Sequence, residues 1–276
     1  MNRVVRVLGV SMLVSLGMAG WLFAAQADTG SKDMILESSK IMGLEVYNQS
    51  DHNMKLGAID NLLISAHTGQ VLYGVVDTGV GGRIIAVPWK AFQIGSGDNE
   101  KILLLNKTKD DLAKAPTIDV NNLPDFSKSD FSNSVDNFFG VQTSVDHAGV
   151  SGLTANQLIL FADRLADLNV YNRSDIDSRL GNVDNLLINV TNGELLFALV
   201  DTGIGGKNVL VPWTAFHLQK AVDENQYWLT LNKTQDELKN APGVDTDQVA
   251  SVASDAKMQQ ELANFFGVRT VARPKQ

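Results

Sequence analysis

The 276-residue sequence contains no cysteine. Without thiols there is no disulfide framework, thioredoxin-like exchange, cysteine-ligated zinc or iron–sulfur chemistry, and no residue to carry a lipoprotein's lipid. Histidine is scarce, limited to His52, His67, His147 and His217. Basic residues are outnumbered, 23 Lys and Arg against 31 Asp and Glu, so the surface repels nucleic acid and anionic lipid. There is no Walker loop, no G-x-S-x-G, and no basic patch with interleaved aromatics.

A hydrophobic share of 44% with 20% charged residues is that of a folded globular chain rather than a disordered or polytopic one. The length accommodates two domains, since single domains commonly run ~100–200 residues. Arg3 and Arg6 precede an uncharged run, Val7 to Ala27, that ends in Ala25-Gln26-Ala27. This is the layout of a secretory signal cleaved after Ala27. The alternative is an uncleaved anchor, because the run approaches the ~20 residues that span a bilayer. In either case Arg3 and Arg6 keep to the cytoplasmic side and the rest lies outside. Removing residues 1–27 takes away two basic residues and no acid, leaving 21 against 31 and a net charge of −10. A periplasmic or secreted bacterial protein is expected.

The chain repeats itself. Leu44-Glu45-Val46-Tyr47-Asn48-Gln49-Ser50-Asp51 recurs 124 residues later as Leu168-Asn169-Val170-Tyr171-Asn172-Arg173-Ser174-Asp175. At the same offset Leu56-Gly57, Asp60 to Ile64, Val76-Asp77-Thr78-Gly79 and Val87-Pro88-Trp89 find Leu180-Gly181, Asp184 to Ile188, Val200 to Gly203 and Val211-Pro212-Trp213. The offset becomes 126 at Leu105-Asn106-Lys107-Thr108 and 127 at Phe138-Phe139-Gly140-Val141, the small length changes that loops tolerate. About half of the pairs between Leu44 and Phe92 are identical, beyond what chance produces. The organisation is therefore a signal peptide at 1–27, a first repeat with its tail at 28–143, a linker at 144–156, and a second repeat with its tail at 157–276.

Within a repeat, Asp60–Ile64 and Val71–Val76 are short β-favouring runs joined by His67-Thr68-Gly69-Gln70, a hairpin pattern. Arg83–Val87 and Ile102–Leu105 add strands, with Pro88 and Pro212 at strand ends. Thr108 with Asp111, and Thr234 with Glu237, are capping boxes predicting a helix of about two turns before Pro116 and Pro242. Residues 117–156 are polar, with an amphipathic piece near Val135–Phe139, and read as a surface-packed tail and linker. The fold class is mainly β: two tandem small β-barrels, each with a short C-terminal helix.

In order and spacing the duplicated pattern V-Y-N-x-S-D, L-G-x-[IV]-D-N-L-L-I, a hairpin Gly, V-D-T-G-x-G-G, V-P-W and L-N-K-T-x-x-[DE]-L-x-x-A-P resembles the PRC-barrel family, over roughly 34–116 and 157–242. That domain is shared by the H subunit of purple-bacterial reaction centres and a ribosome-maturation factor. The resemblance implies a protein-interaction or assembly module with no bound cofactor and a protein partner of unknown identity. It does not imply a photosynthetic role, because the reaction-centre barrel lies on the cytoplasmic side. The glycine-rich stretch, Thr78 to Gly82, is shorter than is common in the family.

The sharpest enzymatic alternative is one D-T-G per half, as in pepsin-like proteases whose two carboxylates share a proton. Here Val80 and Ile204 follow where Ala or Ser is expected, and the later apolar-apolar-Gly segment is missing, so Asp77 and Asp201 read as turn residues. No catalytic, cofactor or metal residue is assigned. No histidine recurs between the copies, and Asp51/Asn53 and Asp175/Asp177 lack the remaining oxygen ligands of a calcium loop. Trp89, Trp213, Phe92 and Phe216 read as core. The candidate interaction surface is the pair of glycine-rich loops Asp77-Thr78-Gly79-Val80-Gly81-Gly82 and Asp201-Thr202-Gly203-Ile204-Gly205-Gly206, in which glycine allows close backbone approach. The function expected is an exported, non-enzymatic interaction or scaffolding protein. It touches a membrane only if residues 1–27 are retained, in which case it becomes an anchored assembly factor for an envelope or photosynthetic complex.

Overall fold

In the computed structural model the described residues are 33–79, 81–97, 101–126, 128–143, 154, 158–203, 208–221, 226–246 and 248–269. The proposed signal segment thus lies outside them, as do Val80, Ile204, Gly205 and Gly206. Among the described residues no helix is long and apolar enough to cross a membrane.

The first repeat runs β1 (Ile35–Glu37), α1 (Ser38–Ile41), β2 (Glu45–Asn48), β3 (Lys55–Ser65), β4 (Gln70–Asp77), β5 (Ile84–Pro88), β6 (Phe92–Ser96), β7 (Lys101–Leu105), α2 (Lys109–Leu112) and the tail helix α3 (Ser129–Phe139). The second repeats it as β8 (Ile159–Phe161), α4 (Ala162–Leu165), β9 (Asn169–Asn172), β10 (Arg179–Asn189), β11 (Glu194–Asp201), β12 (Asn208–Pro212), β13 (Phe216–Lys220), β14 (Tyr227–Leu231) and α5 (Gln235–Lys239). It ends in β15 (Gly243–Val244), α6 (Val249–Ser254) and α7 (Ala256–Phe266).

Each repeat curls six strands in the order β5-β4-β3-β2-β7-β6, with β2 parallel to β7 and the other pairs antiparallel. β5 and β6 follow one another through a single 3-10 turn, Trp89–Ala91, without pairing. The sheet is therefore mainly β and barrel-like but not closed by hydrogen bonds into one ring, and it continues from one repeat into the other.

The recurring motifs now have physical reasons. Asn48 Oδ1 accepts from the backbone of Ser50 and Asp51 while its Nδ2 donates to Lys107 O; Asn172 does the same toward Ser174, Asp175 and Lys233. One amide thus builds a turn and ties it to the N-K-T segment. Gly57 and Gly181 lie so close to the next strand that a Cβ would sit 2.3 and 2.2 Å from the carbonyl oxygens of Asp77 and Asp201. Asn61 and Asn185 mark bulges in β3 and β10, where each side-chain oxygen accepts from the following backbone N–H.

Both capping boxes form, and the backbone N–H of Thr108 and of Thr234 holds the Asp111 and Glu237 carboxyls below their usual pKa. The helices they open are four and five residues long, about one turn rather than two. One turn suffices to bury Leu112 or Leu238, and the chain then leaves the helix so that Ala115 or Ala241 can also enter the core.

The tails pack on the barrels' outer faces. In the first repeat Phe126 and Val135 cover Leu63, Tyr73, Val75 and Ala86 to form a second apolar cluster. Lys107 donates to Phe138 O at 2.7 Å and lies over the Phe138 ring, and Lys233 lies over Phe265. With both sheet faces covered, β3–β5 are apolar on alternate and intervening residues alike, which explains their continuous hydrophobic runs.

The repeats also trade their first strands. β1 pairs with β10, Leu36 opposite Ile188, and β8 pairs with β3, Leu160 opposite Ile64. Each 11-residue central strand thus takes its own repeat's second strand on its first half and the other repeat's first strand on its last. The two hairpin turns meet as well, Val71 donating to Gly193 O at 2.8 Å and Leu195 to Gly69 O at 2.7 Å. One core cluster contains side chains from both repeats.

Candidate functional site

The glycine-rich loops are turns closed by their own aspartates. Asp77 Oδ1 accepts from Gly79 N at 2.8 Å, Asp201 Oδ1 accepts from Gly203 N at 2.8 Å, and Thr78 N donates to Arg83 O. Gly79, Gly81 and Gly82 all have positive φ, and a Cβ on any of them would meet nothing within 4 Å. The turn therefore needs their left-handed backbone while leaving them open to solvent. Thr202 is buried. Val80 and Ile204, the apolar tips on which the interaction reading rests, lie outside the described residues.

The structure does not bring Asp77 and Asp201 together. β4 and β11 run antiparallel and pair only where Gln70 faces Glu194, at their starts. At ~3.3 Å per residue the two strands carry their terminal carboxylates on the order of 20 Å in opposite directions, which is incompatible with a shared proton.

Trp89 and Trp213 are core, each 4% exposed, but the core they complete is the other repeat's. Trp89 Nε1 donates to Val190 O at 3.1 Å, and Trp213 Nε1 to Ala66 O at 2.9 Å. Among the described residues no group of His, Asp and Glu side chains could hold a metal ion. Asp51 and Asp175 instead accept from the backbone of Asn53 and Asp177 within their turns. Burial, and then Arg173, hold His217 below the usual imidazole pKa.

One concavity among the described residues was missed by sequence reasoning. A cleft of about 1100 Å³ lies where α1 of the first repeat meets α4, β9 and β14 of the second. Arg164, Tyr171, Ile176, Tyr227 and Trp228 line it. The Arg164 guanidinium lies 4.8 Å from the centre of the Tyr227 ring; burial raises the Tyr227 pKa, opposed by Arg164. Ile176, at its mouth, is 63% exposed, a level no other large hydrophobic among the described residues matches. Four carboxylates, Asp163, Asp167, Asp177 and Asp184, stand around it.

The two repeats differ here. Where the second has Ile176, Tyr227 and Trp228, the first has His52, Lys101 and Ile102. On the first repeat Glu45 accepts from Lys55 and from the Tyr47 hydroxyl, whereas Asn169 stands in the place of Glu45 beside Tyr171. The available signal was this divergence inside an otherwise closely matched duplication.

A family model, the PRC-barrel domain, matches residues 34–111 and 159–238. The chain belongs to the PRC-barrel family. Its two PRC-barrel segments correspond to the duplicated pattern; the cleft's aromatic side chains, Tyr171, Tyr227 and Trp228, belong to the second, and α1 of the first borders it. The covering tails, with α3, β15, α6 and α7, lie beyond the matched residues. No curated protein matches the chain.

Proposed function

We propose that this two-domain PRC-barrel protein works outside the cytoplasm as a non-enzymatic interaction or scaffolding module, and that its partner docks in the one-sided cleft of the second repeat. The observation that carries this reading is the asymmetry. Equivalent positions in a duplicated body bear Tyr227, Trp228 and Ile176 on one side and Lys101, Ile102 and His52 on the other. Half-buried aromatic side chains beside an exposed aliphatic one, around a concavity, are the composition of interaction hot spots. Four aspartates against Arg164 favour a partner segment that carries positive charge. Export is supported by Arg3, Arg6 and the Ala25-Gln26-Ala27 site.

The test grafts the first repeat's residues onto the second, Tyr227→Lys with Trp228→Ile, and compares it with Val80→Asp with Ile204→Asp in the glycine-rich loops. The bait is the mature chain beginning at Asp28, applied to the envelope fraction of its own cells. Loss of partner from the cleft variant with an unchanged melting curve supports the cleft. Full recovery from the cleft variant together with loss from the loop variant assigns the interaction to the loops.

A further inference from the structure

The strand, indole and hairpin contacts that one repeat makes with the other are each returned by their equivalents. β1 on β10 is answered by β8 on β3. Val190 N donates to Met34 O at 2.9 Å, and Ala66 N donates to Leu158 O at 2.7 Å. The indole of Trp89 donates into the second repeat and that of Trp213 into the first. Each hairpin glycine lies under the other repeat's tryptophan: a Cβ on Gly193 would sit 2.5 Å from Trp89 Cδ1, and one on Gly69 2.9 Å from Trp213 Cδ1. Self-complementary contacts of this kind define an isologous, twofold interface. The same patch is used on both sides, as between two subunits of a homodimer.

From this we propose that the repeat is itself a self-association module whose partner is a second copy of the repeat, and that the linker at 144–156 is not what holds the two halves together. The chain carries both subunits of a strand-exchanged dimer in one polypeptide. Taken alone, a repeat exposes the last half of its long central strand as an unpaired edge, leaves the receptor carbonyl of Ala66 or Val190 without its indole, and projects its own first strand with nothing to pair it. Such exposed edges are driven to find a strand, and the sister repeat supplies one in register. Because the surface is consumed within the chain, none of it remains for a second molecule. This inference stands apart from the cleft reading, which concerns Arg164, Ile176 and the side chains of β9 and β14.

The test keeps the protein whole until it has folded. A protease recognition sequence replaces residues 145–153 of the full chain, the purified protein is cut, and its mass is followed by native mass spectrometry and size-exclusion chromatography. At about 1 μM the two fragments are expected to stay together with less than about a tenth dissociated, a Kd at or below about 10 nM. After the cut the unfolding midpoint should become dependent on protein concentration, as it does for any dissociating assembly. Separation into two species at that concentration, whether folded or not, overturns the proposal. A second cut protein carrying Leu160→Pro, which removes a backbone donor and distorts the exchanged strand, is expected to dissociate at least tenfold more readily. Unchanged association in that variant would show that the strand exchange contributes nothing to the pairing.

Discussion

Gly193→Ala isolates the contact between repeats, because a second glycine provides the control. Gly193 has φ +74° and Gly79 φ +65°, so alanine at either position meets the same left-handed backbone cost of roughly 1–2 kcal/mol. Their surroundings differ. A Cβ on Gly79 meets nothing within 4 Å, whereas on Gly193 it lies 2.5 Å from Trp89 Cδ1 and 2.7 Å from Gln70 Nε2. Gln70 can swing aside, but the indole is 4% exposed and fixed by its bond to Val190 O. Moving the ring breaks that bond and leaves a buried donor unpaired, at about 1–3 kcal/mol, with roughly 1–3 kcal/mol more for the disturbed packing. Gly193→Ala should therefore lose about 3–8 kcal/mol and Gly79→Ala no more than ~2 kcal/mol. In a body of this size each kcal/mol moves Tm by ~2–4 °C, so calorimetry or urea unfolding separates the two variants easily. Equal losses would mean that the hairpin glycine answers only to backbone conformation and that Trp89 does not hold the repeats together.

Asn185→Ala should cost about 2–3 kcal/mol and Asn61→Ala about 1 kcal/mol, read by urea unfolding. Asn185 serves Ser38 Oγ, Ser39 Oγ, Glu37 and two backbone N–H groups, whereas the Asn61 side chain accepts from Leu62 N. Tyr73→Phe, which gives the first repeat the Phe197 of the second, removes a hydroxyl buried under the tail and should change stability by no more than about 1 kcal/mol. The same burial, and then Asp136, raise the Tyr73 pKa. The folded state therefore keeps its proton longer than the unfolded chain, and stability should fall as pH rises above the usual phenol value of ~10. A 295 nm absorbance titration that loses its last-ionising tyrosine in Tyr73→Phe checks this. Edman sequencing of exported protein should begin at Asp28, and an intact Met1 in the membrane fraction would favour the anchor.

The duplicated pattern made the family, the capping boxes, the β3–β4 hairpin and the tail helix near Val135–Phe139 readable, because each rests on local chemistry: a Thr three residues before an acid, a glycine between β-favouring runs, an amphipathic spacing. The exchange of β1 and β8 was not readable in the same way. Met34–Glu37 and Leu158–Phe161 are apolar runs that fit either repeat's central strand, and their periodicity carries no information about which copy they join. The hairpin glycine and V-P-W were visible as recurring motifs, but their reason is a contact across the repeats, and a sequence records motifs without recording their partners. The cleft was obscured for another reason. Tyr227 and Trp228 extend the apolar run of β14, so they look like ordinary strand residues until compared with Lys101 and Ile102.

The copies agree at the glycines and tryptophans of the interlock, although Gln70 and Glu194, which face one another across it, differ. Gly69 and Gly193, Trp89 and Trp213 each meet the other repeat. A change at any of these four positions would disturb its partner in the other repeat, Gly193 with Trp89 or Gly69 with Trp213. The β9–β14 face of the second repeat meets no equivalent, since the cleft is bounded by α1 rather than by its own counterpart. Ile176, Tyr227 and Trp228 could therefore depart from His52, Lys101 and Ile102 without disturbing the interlock. A fused pair has this freedom and a true homodimer does not, because in a homodimer any substitution appears on both faces at once. On this argument the covalent link, proposed to be dispensable for association, is what permits a single asymmetric cleft on a symmetric frame.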